Sequence, residues 1–166
     1  MEEAFTQWLQ DNRHWALWLV PAFAFLEAML GIGIFVSSAF LVIVGTMVYA
    51  QGIAPIGVIV ALGFTGATIA DQLGFFIGRS VGPRFHLLGL VQRHRNKINK
   101  AEDLIRRRGA FAIFIGRFIP AIRSMLPALL GISGFPPARY VMLDLAACLL
   151  WSLALGAIVM GAKSLL

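Results

Sequence analysis

FAIFIGRFIPAIRSMLPALLGISG, Phe111 to Gly134, decides how the rest of the chain is read. The stretch is apolar enough to enter a bilayer, yet Arg117 and Arg123 stand on either side of the helix-breaking Pro120. Pro127, Gly131 and Gly134 follow, and Gly116 precedes. Placing Arg in hydrocarbon costs about 2.5–3.5 kcal/mol per residue on insertion scales, so an intramembrane Arg marks a functional site by default. Two of them around a proline predict a broken or re-entrant segment. Its freed backbone groups must be buried in protein or line a wet cavity. Snorkelling of both arginines to a headgroup layer accounts better for one Arg near a segment end than for two that bracket a break.

Composition sets the class. Of the 166 residues, 59% are hydrophobic and 13% charged, with a mean hydropathy of +0.82. Soluble domains run near 45–50% apolar and about 25% charged, so a soluble fold is excluded and one membrane domain covering residues 1–166 is expected. The net charge of +6 is concentrated between Arg79 and Arg108, which hold nine Lys/Arg against Glu102 and Asp103. A basic cluster beside apolar spans is the signature of a cytoplasmic loop, one that can also touch anionic lipid heads. It has no interleaved aromatic platform, so nucleic acid is not an expected partner. The single cysteine, Cys148, excludes an intramolecular disulfide. The acidic start MEEAF lacks the basic n-region of a cleaved leader, so the first apolar segment is expected to be retained.

Taken in order, residues 1–22 read as an interfacial helix, with Trp8, Trp15 and Trp18 near one face. Residues 23–50 read as a first broken hairpin. The run Trp15–Ala50 is too long for one span, carries Glu27 alone among ionisable residues, and is interrupted only by Gly31-Ile-Gly33 and Ser37-Ser38. Whether it spans twice or dips and returns is open at this level. Residues 54–82 predict a transmembrane helix rich in glycine, which permits close helix approach, with Asp71 its lone acid and Arg79 two turns on. Residues 83–109 predict a basic amphipathic segment on the cytoplasmic face. Residues 110–134 form the second broken hairpin, Phe135-Pro136-Pro137 a hard stop, and 138–162 a last span containing Asp144 and Trp151. The expected fold is therefore all-α. Two broken hairpins enter from opposite faces as an inverted repeat, packed with spanning helices, and meet near the midplane.

Several stretches resemble the DedA family of bacterial membrane proteins, also called the VTT or SNARE-associated domain family. Gly116-Arg117-Phe118-Ile119-Pro120-Ala121-Ile122-Arg123-Ser124 is similar to the family's G-R-F-x-P-x-x-R-S/T signature, and Pro127 with Gly131-Ile132-Ser133 resembles the P-x-x-x-G-x-S/T that follows it. Asp71-Gln72-Leu73-Gly74-Phe75-Phe76-Ile77-Gly78-Arg79-Ser80-Val81-Gly82 resembles G-D-x-x-G-Y/F-x-x-G-R-x-x-G, with Ala70 where the family has Gly. Phe25-Leu26-Glu27 resembles the early membrane glutamate, but Ser37-Ser38 stands about where a Pro-Gly is usual. The resemblance covers residues 20–162. It implies a lipid flippase or scramblase of the bacterial cytoplasmic membrane, acting on undecaprenyl phosphate or phosphatidylethanolamine and dependent on the proton-motive force.

The residues themselves agree with a phosphate-headed lipid. A phosphomonoester carries about −1.5 to −2 charge near neutral pH, and Arg offers a planar fork that binds it bidentately and stays charged. Pro120 is suited to open a new half-helix, because its missing N–H would be unpaired there. Arg123 would then fall in the first turn, beside free N–H groups that also favour an anion. Arg117, Arg123 and Ser124 are the expected lipid-phosphate ligands; Gly116, Pro120, Pro127 and Gly131 are the expected break residues. Glu27, Asp71 and Arg79 are expected either to relay protons or to form static ion pairs, since burial disfavours a charged carboxylate and a nearby Arg favours it. No histidine has metal-ligand spacing, and neither a dinucleotide loop nor a nucleophile elbow is present. No enzyme, metal or cofactor is expected. The expected partners are membrane phospholipid or polyprenyl phosphate and the bilayer, with homo-oligomerisation open. Two rivals remain: a proton- or cation-coupled transporter of small solutes, and a non-transporting partner of a lipid phosphatase.

Overall fold

The computed structural model describes residues 12–29, 38–82, 95–119 and 122–163. They form α1 (Arg13–Ala28), α2 (Ser38–Ala50), α3 (Ile56–Val81), α4 (Arg95–Arg108), a short 3-10 turn (Gly109–Phe111), α5 (Ala112–Arg117), α6 (Leu126–Ile132) and α7 (Pro137–Lys163). Every regular element among the described residues is helical.

Two helices are long enough to cross a bilayer. At 1.5 Å per residue, α3 and α7 measure about 39 and 40 Å, against a hydrocarbon core of about 30 Å. Both are strongly apolar, with mean hydropathies of 1.6 and 2.1 over their best windows. Pro55, in extended conformation, precedes α3, and Gly82 ends it at φ +58°. Gly134, at φ +75°, turns the chain into Phe135-Pro136, and Pro137 opens α7 at the position where a missing N–H costs nothing. The remaining helices are too short to span alone: α1 and α2 reach about 24 and 20 Å, α5 and α6 about 10 Å each.

The spans run antiparallel. Residues of α3 meet progressively earlier residues of α7: Val60 faces Gly156, Gly63 faces Leu155, and Gln72 bonds Asp144. At the far end Arg79 donates to the Phe135 carbonyl at 3.3 Å. The other pieces lean on this pair, and α3 is the spine, carrying α1, α6 and α7. Close approach is set by glycine. A Cβ on Gly66 would strike the Pro21 backbone of α1; on Gly78, the Ala128 backbone of α6; on Gly131 of α6, the Phe75 backbone of α3. Small residues at such crossings let dispersion contacts form between backbones. The outward faces of α3 and α7 stay apolar, with Ile69, Leu73, Met142, Leu149 and Leu153 exposed.

Three expectations need correction. The interfacial helix over 1–22 and the hairpin over 23–50 are not separate at residue 22: α1 runs through Pro21 without ending. Pro21 lies inside the helix, and its backbone packs on Gly66 of α3. The second broken segment does open between two helices, but α6 starts at Leu126, six residues after the expected Pro120 start. Pro127 takes the first-turn role and Arg123 precedes the helix, in tight turns closed by bonds such as Met125 N–H to the Ile122 carbonyl. Gly131 lies within α6 at its contact with α3, and Gly116 within the last turn of α5; neither is at the break itself. Pro120, the Gly31-Gly33 pair, Ser37, Trp8 and residues 83–94 lie outside the described residues.

Candidate functional site

Five ionisable side chains converge where α1, α5 and the turns before α6 meet the spans. Arg117 closes α5, Arg123 sits in the turns before α6, Glu27 lies in the last turn of α1, Asp71 at mid-α3 and Asp144 two turns into α7. All five are buried. Arg117 Nη1 donates to Asp71 Oδ2 and lies 3.4 Å from Asp144 Oδ1. Arg123 Nη1 donates to Glu27 Oε1 at 2.6 Å. Ser38 Oγ, at the start of α2, donates to the same Glu27 oxygen. One arginine thus ties the end of α5 to both spans, and the other ties the turns before α6 to α1.

A ring of neutral groups completes the cluster. Gln72 Nε2 donates to Asp144 Oδ2 at 2.7 Å, and Tyr140 O–H donates to the Asp71 carbonyl at 3.3 Å. The Tyr140 ring stacks on Phe75, with centroids 4.0 Å apart. Cys148 Sγ lies 3.9 Å from Asp71 Oδ2. The carboxylates of Asp71 and Asp144 and the Cys148 sulfur lie within 4.8 Å of one another, a donor set that could hold a metal ion. Arg117 already supplies positive charge at that point.

The pairing is incomplete. Arg117 Nε and Nη2, Arg123 Nη2, Ser124 Oγ and Glu27 Oε2 are buried with no hydrogen-bond partner among the described residues. Leaving such groups unpaired costs about 1–3 kcal/mol each, more for charged ones. Beside them is a small, partly open cavity bordered by Asp71, Arg117, Arg123, Pro127, Tyr140 and Asp144. It has room for about one water. The arginines are therefore neither in bulk solvent nor sealed away from any opening.

Arg79 is not part of this cluster; its guanidinium is exposed and bonded to Phe135. Asp144, Ser38, Gln72, Tyr140, Cys148 and Trp151 belong to it, and none of them was among the expected site residues. A signal existed. Asp144 is the only acid of an otherwise apolar span, and Tyr140, Asp144, Cys148 and Trp151, spaced by four, four and three, share one helix face.

Asp71 is expected to matter more to stability than Asp144. Asp71→Asn takes away the main counter-charge of a buried guanidinium, a change that typically costs about 3–5 kcal/mol. Thermal denaturation in detergent should show that loss for Asp71→Asn and a smaller one for Asp144→Asn.

The fold and cluster define an all-helical integral membrane protein with ion pairs buried among its helices. The VTT domain model matches residues 35–161, and the chain belongs to that family, the DedA-type membrane proteins. It is 34% identical to undecaprenyl phosphate transporter A of Bacillus subtilis over 113 residues, 66% of this chain and 56% of that one. It is 29% identical to the inner membrane protein YohD of Escherichia coli over 126 residues, covering 76% and 65%. With Escherichia coli inner membrane protein YabI it shares 21% identity over 151 residues, covering 91% and 59%. The chain spans about 60% of the length of the curated relatives it matches over most of its own. No solved structure matches it. Relatives named as inner membrane proteins and two apolar spans place the chain in a bacterial inner membrane.

Proposed function

We propose that this protein is a lipid translocase, a flippase or scramblase that passes a phosphate-bearing headgroup across the bilayer while the acyl or prenyl tail stays in lipid. The observation that carries the proposal is the set of buried donors on Arg117, Arg123 and Ser124 that have no partner among the described residues, beside a cavity where α5 and α6 meet α3 and α7. The name of the Bacillus subtilis relative supports undecaprenyl phosphate as the lipid; phosphatidylethanolamine, which the family resemblance also implies, is the alternative. In the resting arrangement the acids stand in for the substrate. An arriving phosphate displaces Glu27 from Arg123 and Asp71 from Arg117, and the cavity widens as these pairs open. Three carboxyl groups face two guanidinium groups here. That surplus of acids supports Glu27 and Asp71 as groups that exchange protons as the headgroup comes and goes, coupling transport to the proton gradient.

The geometry assigned to this function is two re-entrant hairpins entering from opposite faces, with the basic segment 83–109 in the cytoplasm. Helices too short to span and the antiparallel α3/α7 pair support it. On a Cys148→Ser background, single cysteines at Trp15 and Gln51 should label from one face, and those at Phe111 and Phe135 from the other. Labelling of Trp15 and Gln51 from opposite faces sinks the re-entrant assignment.

Reconstitution tests the function. The purified protein in vesicles should change the sidedness of a fluorescent phosphate-headed lipid. Proton flux with unchanged lipid sidedness would favour the small-solute rival instead, and lipid movement only when a phosphatase is added would favour the partner rival.

A further inference from the structure

Trp151 stands on α7 two turns beyond Asp144, and both buried guanidinium groups lie over its ring. Arg123 Cζ is 5.0 Å from the ring centroid and Arg117 Cζ 5.7 Å. The transport proposal gives this residue no part. An indole face attracts a cation through its quadrupole and uses none of the cation's N–H groups in doing so. A carboxylate partner, by contrast, uses up donors, which lie in the guanidinium plane. Arg117 and Arg123 hold like charge close together, yet each keeps a buried nitrogen without a hydrogen-bond partner among the described residues. A shared aromatic neighbour stabilises both cations and leaves those nitrogens free.

We propose that Trp151 is a positioning residue: it holds Arg117 and Arg123 side by side at one aromatic ring so that their unpaired N–H groups converge on the same phosphate. This rests on the transport reading of the site. The ring itself is held firmly. It packs against the apolar cluster that includes Val20, Leu41 and Leu155 and against the cluster of Ala28, Ala67 and Ala70, which α1 and α3 supply. An anion that reaches the two guanidinium groups also arrives next to the indole, and the emission of Trp151 should report it.

The test uses the full chain in lipid nanodiscs with Trp8, Trp15 and Trp18 replaced by Phe, which leaves Trp151 as the remaining indole. Titration with dodecyl phosphate should give a saturable change in emission. Dodecanol should give none, and the change should vanish when Arg117→Lys and Arg123→Lys are added. Inorganic phosphate acting only at much higher concentration identifies a lipid headgroup as the ligand; equal potency identifies free phosphate. Absence of any change, in protein that still moves lipid, overturns the proposal.

A second arm reads transport kinetics. Trp151→Leu should raise KM about tenfold with little change in maximal rate, while Trp151→Tyr, which keeps an aromatic face, restores KM to within about threefold. Equal behaviour of Leu and Tyr, or an unchanged KM in Leu, counts against the positioning role. If the Leu variant fails to fold, the Tyr variant and the fluorescence titration still decide. Normal transport by Arg117→Lys and Arg123→Lys would bring down the transport reading itself, an outcome separate from a failure at Trp151 alone.

Discussion

Arg117→Lys and Arg123→Lys should each lower lipid translocation in vesicles by a hundredfold or more while leaving the helical fold intact. Lysine keeps the positive charge, so Asp71 and Glu27 retain a partner and burial of an unpaired carboxylate is avoided. What lysine lacks is the planar fork. It is a point charge on a flexible stem, and it cannot grip a phosphate bidentately in a fixed geometry. Each charge-assisted hydrogen bond lost from the bound headgroup is worth about 1.5–3 kcal/mol, so losing two corresponds to at least the factor stated. Circular dichroism and size-exclusion profiles check that the fold survives, and lipid-probe sidedness reads the activity. Near-normal transport by both variants would remove these arginines from the site.

Adding one methyl group at a helix crossing should be nearly as damaging, through a different cause. Gly78→Ala and Gly131→Ala would each press a Cβ into the backbone of the facing helix, which no change of side-chain rotamer can relieve. Gly66→Ala would do the same against Pro21. Forcing extra volume into a closed crossing costs about 1–3 kcal/mol, and more when backbone must shift. The α3–α6 crossing also places Arg123 and Pro127 beside Asp71, so both stability and transport should fall. Gly57→Ala, on the same helix, meets nothing within 4 Å. It should be neutral or stabilising by up to about 1 kcal/mol, from helix propensity alone. Melting temperatures of the four variants in detergent make the comparison. Similar values at Gly57 and Gly78 would refute the close crossing.

The proline-flanked arginines, the lone acids of the spans and the glycine-rich α3 are all legible in one dimension, because charge and breakers inside an apolar run have few structural solutions. Asp71 was legible for that reason, and so was Glu27. Asp144 carried the same signal but was set apart from the site, since nothing in the sequence says that α7 runs back along α3. The start of α6 was misplaced for a related reason. Pro120 and Pro127 are equally good first-turn residues, and the choice between them is made by the contact of Pro127 and Ala128 with Gly74 and Gly78.

What the amino-acid sequence determined by itself is the membrane class, the two spans and the presence of buried charge, because hydropathy and the cost of desolvating an arginine act locally on the chain. Which acid meets which arginine was decided by tertiary structure alone. Arg117 reaches Asp71 across 46 positions and Arg123 reaches Glu27 across 96, pairings set by glycine crossings whose register a linear pattern does not encode. The placement of Trp151 at both guanidinium groups has the same origin: it exists only once α5, α7 and the turns before α6 have been brought together.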